Sequence, residues 1–278
     1  MRVGNLSGQL AIFTEAGAVD VEKASKGAFS SDPQYVYERW ADFRAWAAEA
    51  DLAEAKPFDP ADLGCPTPAP GQIFAVGLNY HSHAAEAGIA DPGTTPLIFT
   101  KFASSLTGPV ATVEVPEGDV DWEAELVLVI GREAHKVAAV DAWSYVAGLT
   151  VGQDLSERKL QMAGAAPQFS LSKSYPGFAP VGPWVTSLDE FGNPDDVLVE
   201  CCLNGTLMQS ERTTDMVFPV PTIIEFLAAV APLRPGDIIF TGTPSGVGIF
   251  RDPPRFLRPG DELVSRIEGV GEIRQTFA

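Results

Sequence analysis

The chain is short of cysteine, histidine and positive charge. Its 278 residues hold three cysteines, three histidines and 19 Lys plus Arg against 37 Asp plus Glu, a formal net charge of −18. Each shortage excludes something. Cys65, Cys201 and Cys202 are odd in number and form no C-x-x-C, so neither a disulfide scaffold nor a zinc–thiolate site organises the fold, and a reducing compartment fits. The acid excess argues against nucleic acid and anionic membrane as partners, since both select basic surfaces. No run approaches the roughly 18 apolar residues that span a bilayer, and Met1-Arg2-Val3-Gly4-Asn5 does not open a signal peptide. The expectation is a soluble, cytoplasmic protein.

What is present is a sizeable core. Hydrophobic residues make up 45% of the chain and charged ones 20%, which suits one large domain or a domain with a smaller companion. Two apolar stretches flank Ser7-Gly8 and predict a hairpin. Asp32-Pro33 predicts a helix start, with Val36, Trp40, Phe43 and Ala47 as its core stripe. Five prolines between Pro57 and Gly71 predict an extended connection. They set the boundary between a small N-terminal α+β subdomain, residues 1–70, and the larger remainder, 71–278. The remainder reads as strands, with one clear helix after Pro221 whose apolar surface is Ile223, Ile224, Phe226, Leu227 and Val230. Pro-Gly-Asp enters a strand twice, at 235–237 and 259–261. The fold class is α+β with antiparallel or mixed sheets; no βαβ alternation supports a doubly wound fold.

The most informative segment is Asp121-Trp122-Glu123-Ala124-Glu125-Leu126, running into Val127–Gly131. Read as one strand, it turns Asp121, Glu123 and Glu125 to one face and Trp122, Ala124 and Leu126 to the other. Clustered acids ahead of an apolar stretch repel one another, and a divalent cation relieves that cost. Glu123 and Glu125 lie about 6.8 Å apart along such a strand and can converge on one ion. The alternative is a solvated strand face. A third ligand must come from elsewhere. Asp154 ends the strand that begins near Tyr145, and reads equally as a ligand or as a cap for a helix through Gln161. Oxygen-only ligation suits Mg²⁺, Mn²⁺ or Ca²⁺ rather than zinc, and leaves positions open to a chelating substrate. An anionic substrate would need cationic help, for which Lys101 and Lys173 are candidates.

His83 and Glu86 stand three apart, neighbours on a helix. A carboxylate on one ring nitrogen fixes the tautomer and suits a general base; a surface ion pair is the plainer reading. His81 offers an H-x-H metal pair as a rival, and His135 lies in a polar turn. Thr241-Gly242-Thr243-Pro244-Ser245-Gly246-Val247-Gly248 permits close backbone approach but lacks the G-K-[ST] of a phosphate loop, and by itself an ordinary Gly-rich turn is the plainer reading.

Taken in order, seven segments resemble the fumarylacetoacetate hydrolase family from about Ile73 to Gln275. They are Gly77-Leu78-Asn79-Tyr80-x-x-His83-x-x-Glu86, Pro96–Lys101, Asp121–Leu126, Gln153-Asp154-x-Ser156-x-Arg158-x-x-Gln161, Ser172-Lys173-Ser174, Met208-Gln209, and Thr241–Gly248. Each is weak alone; the series is specific. The resemblance implies a mixed β-roll or β-sandwich catalytic domain, a homodimer, and Mg²⁺ or Mn²⁺ (with Ca²⁺ as a substitute) on Glu123, Glu125 and Asp154. It implies a lid carrying the catalytic pair His83 and Glu86, a catalytic Lys173, and substrate contacts from Tyr80, Lys101, Arg158, Gln161 and Thr243. The implied reaction is hydrolysis of a C–C bond in a 2,4-diketo acid. Oxaloacetate-type decarboxylation, keto–enol isomerisation or hydration are alternatives at the same site, and a non-catalytic metal-binding protein is the remote one. Two departures bear on the substrate: Phe102 follows Lys101 where many relatives have proline, and Lys173–Phe178 differs from the Asp/Thr-containing version, with Tyr175 and Phe178 as candidate pocket residues.

Overall fold

The structure is a computed structural model that describes residues 1–278. Its strands are β1 (Arg2–Leu6), β2 (Gln9–Thr14), β3 (Gly17–Asp20), β4 (Ile73–Gly77), β5 (Leu97–Thr100), β6 (Val110–Val113), β7 (Ala124–Ile130), β8 (Val146–Gln153), β9 (Ala179–Ser187), β10 (Leu198–Leu203), β11 (Thr206–Arg212), β12 (Ile238–Phe240), β13 (Glu262–Ile267) and β14 (Gly271–Phe277). The main helices are α1 (Trp40–Glu49), α2 (His81–Glu86) and α3 (Val220–Val230). The large sheet runs β3-β2-β1-β9-β8-β7-β12-β4-β5, and a five-stranded sheet runs β11-β10-β13-β14-β6. Most neighbours are antiparallel; β12 with β4 and β14 with β6 are parallel. The mixed α+β class expected from the sequence is what the chain adopts. No helix is long and apolar enough to cross a membrane.

Alternation along β7 builds both cores. Ala124, Leu126, Leu128 and Ile130 join a cluster with Val199, Leu263 and Ile273 of the second sheet and Ile223 and Leu227 of α3. Val127 and Val129 face the other way, into a cluster with Val36, Trp40 and Phe43. A strand buried on both faces reads as a near-continuous apolar run; all seven residues of β7 are buried, and Glu125 is the one polar residue among them. Ser7-Gly8 forms the expected hairpin turn: Leu6 pairs with Gln9, and both turn residues take positive φ, +52° and +83°. Residues 1–20 extend the large sheet through β1 against β9, so the N-terminal segment shares a sheet with the rest.

Three local expectations need correction. The helix after Asp32-Pro33 starts later: Asp32 accepts the Gln34 amide at 2.8 Å, a 3-10 turn spans Tyr35–Arg39, and α-helix begins only at Trp40. Val230 is 79% exposed, because α3 ends there and turns it to solvent. The acidic segment is not one continuous strand. Val120–Asp121 pairs with Ser156–Glu157 in its own two-stranded ladder, and β7 begins at Ala124. At the break the Gln153 side chain takes the Glu123 amide at 2.9 Å in place of a backbone carbonyl.

Candidate metal centre and active site

The break in the acidic segment shapes the site. Glu123 sits at the break, Glu125 on β7, and Asp154 one residue past the end of β8, where its amide donates to the Glu123 carbonyl at 2.9 Å. All three side chains are buried, and one oxygen from each lies within 4.8 Å of the others. The solvated-face reading of the glutamates therefore fails. The capping reading of Asp154 fails too. Glu157 caps Arg158–Gln161 through the amides of Lys159 and Leu160, while the Asp154 oxygens receive Lys101 Nζ at 2.5 Å and Lys173 Nζ at 2.6 Å.

Lys173 also reaches Glu123 Oε2 at 2.7 Å, and Arg158 bridges Glu123 Oε1 and Asp121 Oδ1 at 2.6 Å each. Burial favours neutral forms, so each shift reports who wins. Burial raises the Glu123 carboxyl, but Lys173, Arg158 and His83 outweigh it and hold it far below the usual range. Burial likewise opposes the Lys173 ammonium, yet Asp154 and Glu123 keep it above its normal value. Lys101 loses that contest and is lowered, mainly by burial. Burial pushes Asp121 up to about 6 against the pull of Arg158. Glu125 has no cation: its one hydrogen bond is from the Gly242 amide at 2.6 Å, and burial, Asp154 and Glu123 drive its carboxyl well up.

That imbalance is a test of metal fit. Four carboxylates (Asp121, Glu123, Glu125, Asp154) face three cations (Lys101, Arg158, Lys173), and the uncompensated charge falls on Glu125, one of the three converging acids. Oxygen-only donors with one excess negative charge fit a hard divalent cation. Glu123, Glu125 and Asp154 would hold it.

The other expected residues gather around this cluster in different ways. His83 and Glu86 lie on α2, with Nδ1 and Oε1 2.7 Å apart, and Glu86 Oε2 takes the Gly246 amide at 2.9 Å. The Gly-rich stretch is thus more than a turn: it supplies Gly242 to Glu125 and Gly246 to Glu86. Thr243 Oγ1 donates to the Ala124 carbonyl at 2.8 Å and accepts from Gln209 at 2.7 Å. Arg158 is committed to Asp121, Glu123 and Gln161 Oε1 at 2.8 Å. The Tyr80 hydroxyl is buried without a partner. His81 is exposed and His135 lies in an exposed turn, so neither joins the cluster. Phe178 is fully buried in the core rather than lining the site. Two residues given no role in the sequence organise the acids: Gln153 and Gln209 hold the amides of Glu123 and Ala124. Their only signal was position, beside Asp154 and within Met208-Gln209.

Known proteins place the arrangement. The model of the fumarylacetoacetate (FAA) hydrolase C-terminal domain matches residues 72–278. The chain is 42% identical over 210 residues to oxaloacetate tautomerase FAHD2B, mitochondrial, of Bos taurus, covering 75% of this chain and 67% of the relative. A Mycobacterium smegmatis crystal structure provisionally assigned as an HpcE protein is 51% identical, with a TM-score of 0.96 over 100% of this chain and 99% of that one. Maleylpyruvate hydrolase from Sphingobium sp. SYK-6, solved with manganese(II) and pyruvate, is 28% identical, with a TM-score of 0.77 over 100% and 99% of the two chains. A domain match across most of the sequence, with relatives this similar along its length, means that the chain belongs to the fumarylacetoacetate hydrolase family.

Proposed function

We propose that this protein moves a proton at the carbon beside the keto group of a 2-oxo diacid, interconverting keto and enol forms, with oxaloacetate-class diacids as the first candidates. The observation that carries the reading is the His83–Glu86 pair joined through one Gly-rich loop to a buried, oxygen-only carboxylate cluster that also bears two lysines. Similarity to an oxaloacetate tautomerase supports putting tautomerisation ahead of the C–C hydrolysis expected from the sequence. A divalent cation held by Glu123, Glu125 and Asp154 would stabilise negative charge on a substrate oxygen. Glu86 holds His83 Nδ1, which leaves Nε2 to take and return the proton. Lys173 keeps its ammonium form next to Glu123 and Asp154, a fixed positive charge for the substrate's carboxylate or enolate oxygen. Burial of the cluster excludes water and strengthens these interactions.

A second reading is the hydrolysis of a 2,4-diketo acid, in which the same histidine takes a proton from water as it adds to the distal carbonyl, and the C–C bond then breaks to give one acid and the enolate of the other, which takes the proton back. The maleylpyruvate hydrolase solved with manganese and pyruvate supports it. One panel separates the outcomes: oxaloacetate enol and several acylpyruvates, each with Mg²⁺ and with Mn²⁺, followed by NMR. Tautomerisation conserves the carbon skeleton, hydrolysis gives two acids, and decarboxylation gives CO₂. The expected result is metal-dependent loss of enol, abolished by Glu125→Gln and slowed about 100-fold or more by His83→Ala. Absence of turnover of every keto acid with both metals would overturn the enzyme reading.

A further inference from the structure

Helix α2 is six residues long and has no side-chain N-cap, so contacts outside the helix must set its position. Its root is clamped. Asn79 Nδ2 donates to the carbonyls of Phe218 at 3.1 Å and Thr241 at 2.7 Å, and its Oδ1 accepts the Phe218 amide at 2.8 Å. Its carbonyl accepts the Val217 amide at 3.0 Å. Beyond the helix the chain is tied more loosely. Gly88 and Gly93 have open space around them, and the next strand begins only at Leu97.

Ser82 is where the helix meets three other elements at once. Its Oγ donates to Glu211 Oε2 on β11 at 2.5 Å and accepts the Ser245 amide at 3.2 Å. Its own amide donates to Asp215 Oδ2 at 3.1 Å. The next amide in the Gly-rich loop, Gly246, holds Glu86, and Glu86 holds His83. Ser82 and Glu86 thus fasten the same helix to consecutive amides of one loop. Glu211 and Asp215 lie against each other: burial and Asp215 push the Glu211 carboxyl up, against the pull of Ser82, and Glu86 adds to the repulsion. Two acids kept side by side at this point cost energy, and both are spent on one serine of the lid.

We propose that Ser82, Glu211 and Asp215 form a latch that holds α2 on the Gly-rich loop that also binds Glu125, and thereby positions His83. They are positioning residues, acting through His83 rather than on the substrate, and the inference rests on His83 being the proton carrier. Hydrogen exchange of residues 79–90 in the full-length protein without substrate, and steady-state kinetics with Mn²⁺ and the best diacid, test it together. Ser82→Ala should speed exchange of the α2 amides about tenfold, the scale of losing a hydrogen bond to a charged group, and lower kcat by a similar factor with KM within about twofold. The melting temperature should hardly move, because the helix opens locally, and Ser82→Thr should restore both exchange and kcat. Unchanged exchange in Ser82→Ala overturns the latch. Faster exchange with unchanged kcat overturns the positioning claim; if His83→Ala then also keeps full turnover, the failure lies in the reading of His83 and not in the latch.

Discussion

Single residues at the centre are held by charge pairing that burial makes strict. Arg158 is the clearest case: its guanidinium is 8% exposed and serves Asp121 and Glu123, which are themselves buried. Removing one partner from such a group leaves an uncompensated buried charge. Arg158→Met should therefore cost about 3–5 kcal/mol of stability by denaturant unfolding. Asp121, already up at about 6 beside Arg158, should then take a proton at neutral pH. Adding Asp121→Asn should recover part of the loss. If Arg158→Met unfolds at the wild-type midpoint, the ion pairs are not what holds this corner. Asp121 illustrates how far residue patterns reach. Its place on the acidic face was readable from alternation, but its separation into another ladder was not, because that depends on Ser156 and Ile249 coming from far along the chain.

At the level of elements, the two Pro-Gly-Asp sequences turn out to be one device used twice. In Arg234–Asp237 and in Arg258–Asp261 the aspartate side chain accepts the amide three residues back, at 2.8 Å in both. Each glycine takes positive φ, +85° and +88°, as the third position of a proline-led turn requires. Gly260→Ala has open space, so its cost is conformational, about 1–2 kcal/mol. Gly236→Ala should cost more, since its Cβ would meet Gln34 Nε2 at 2.2 Å and displacing that side chain gives up the bond from the Ala69 amide to Gln34 Oε1. A Gly236→Ala protein that melts no lower than Gly260→Ala would contradict this. Asp261 adds a pH signature. Burial tends to raise its carboxyl, but Asn204, Arg255 and the Arg258 amide win and lower it. The folded value lies below the unfolded one, so its stabilisation is present at neutral pH and disappears as pH falls below about 4. Asp261→Asn should lower stability at pH 7 and flatten that part of the acid limb. The turns were visible in the sequence as repeated words; the late start of α1 was not, since a 3-10 turn and an α-turn share the same apolar spacing there.

The whole molecule has a formal net charge of −18, while the substrate proposed for its centre is an anion. The field of the surface opposes the approach that Lys173 and a cation on the acids would reward. Screening weakens long-range repulsion once the Debye length falls to about 8 Å near 0.15 M salt. kcat/KM for a dianionic diacid at saturating metal should therefore rise as NaCl goes from about 20 mM to 150 mM. A steady fall would mean that local attraction, not the net charge, governs encounter.

The sequence by itself determined the fold class, the apolar run of β7, and the identity of the acids, because side-chain alternation and residue chemistry are local properties that survive any packing. It also put His83 within reach of Glu86, since three residues apart on a helix is a fixed distance. It could not decide between a cap and a ligand at Asp154, or between a solvated and a buried face at Glu123 and Glu125. Those choices are made by Lys101, Lys173 and Arg158 arriving from other segments and by the Gly-rich loop bringing the Gly242 amide to Glu125. Burial turns an acidic strand face into a site with one charge too many, and burial is a property only the tertiary structure confers.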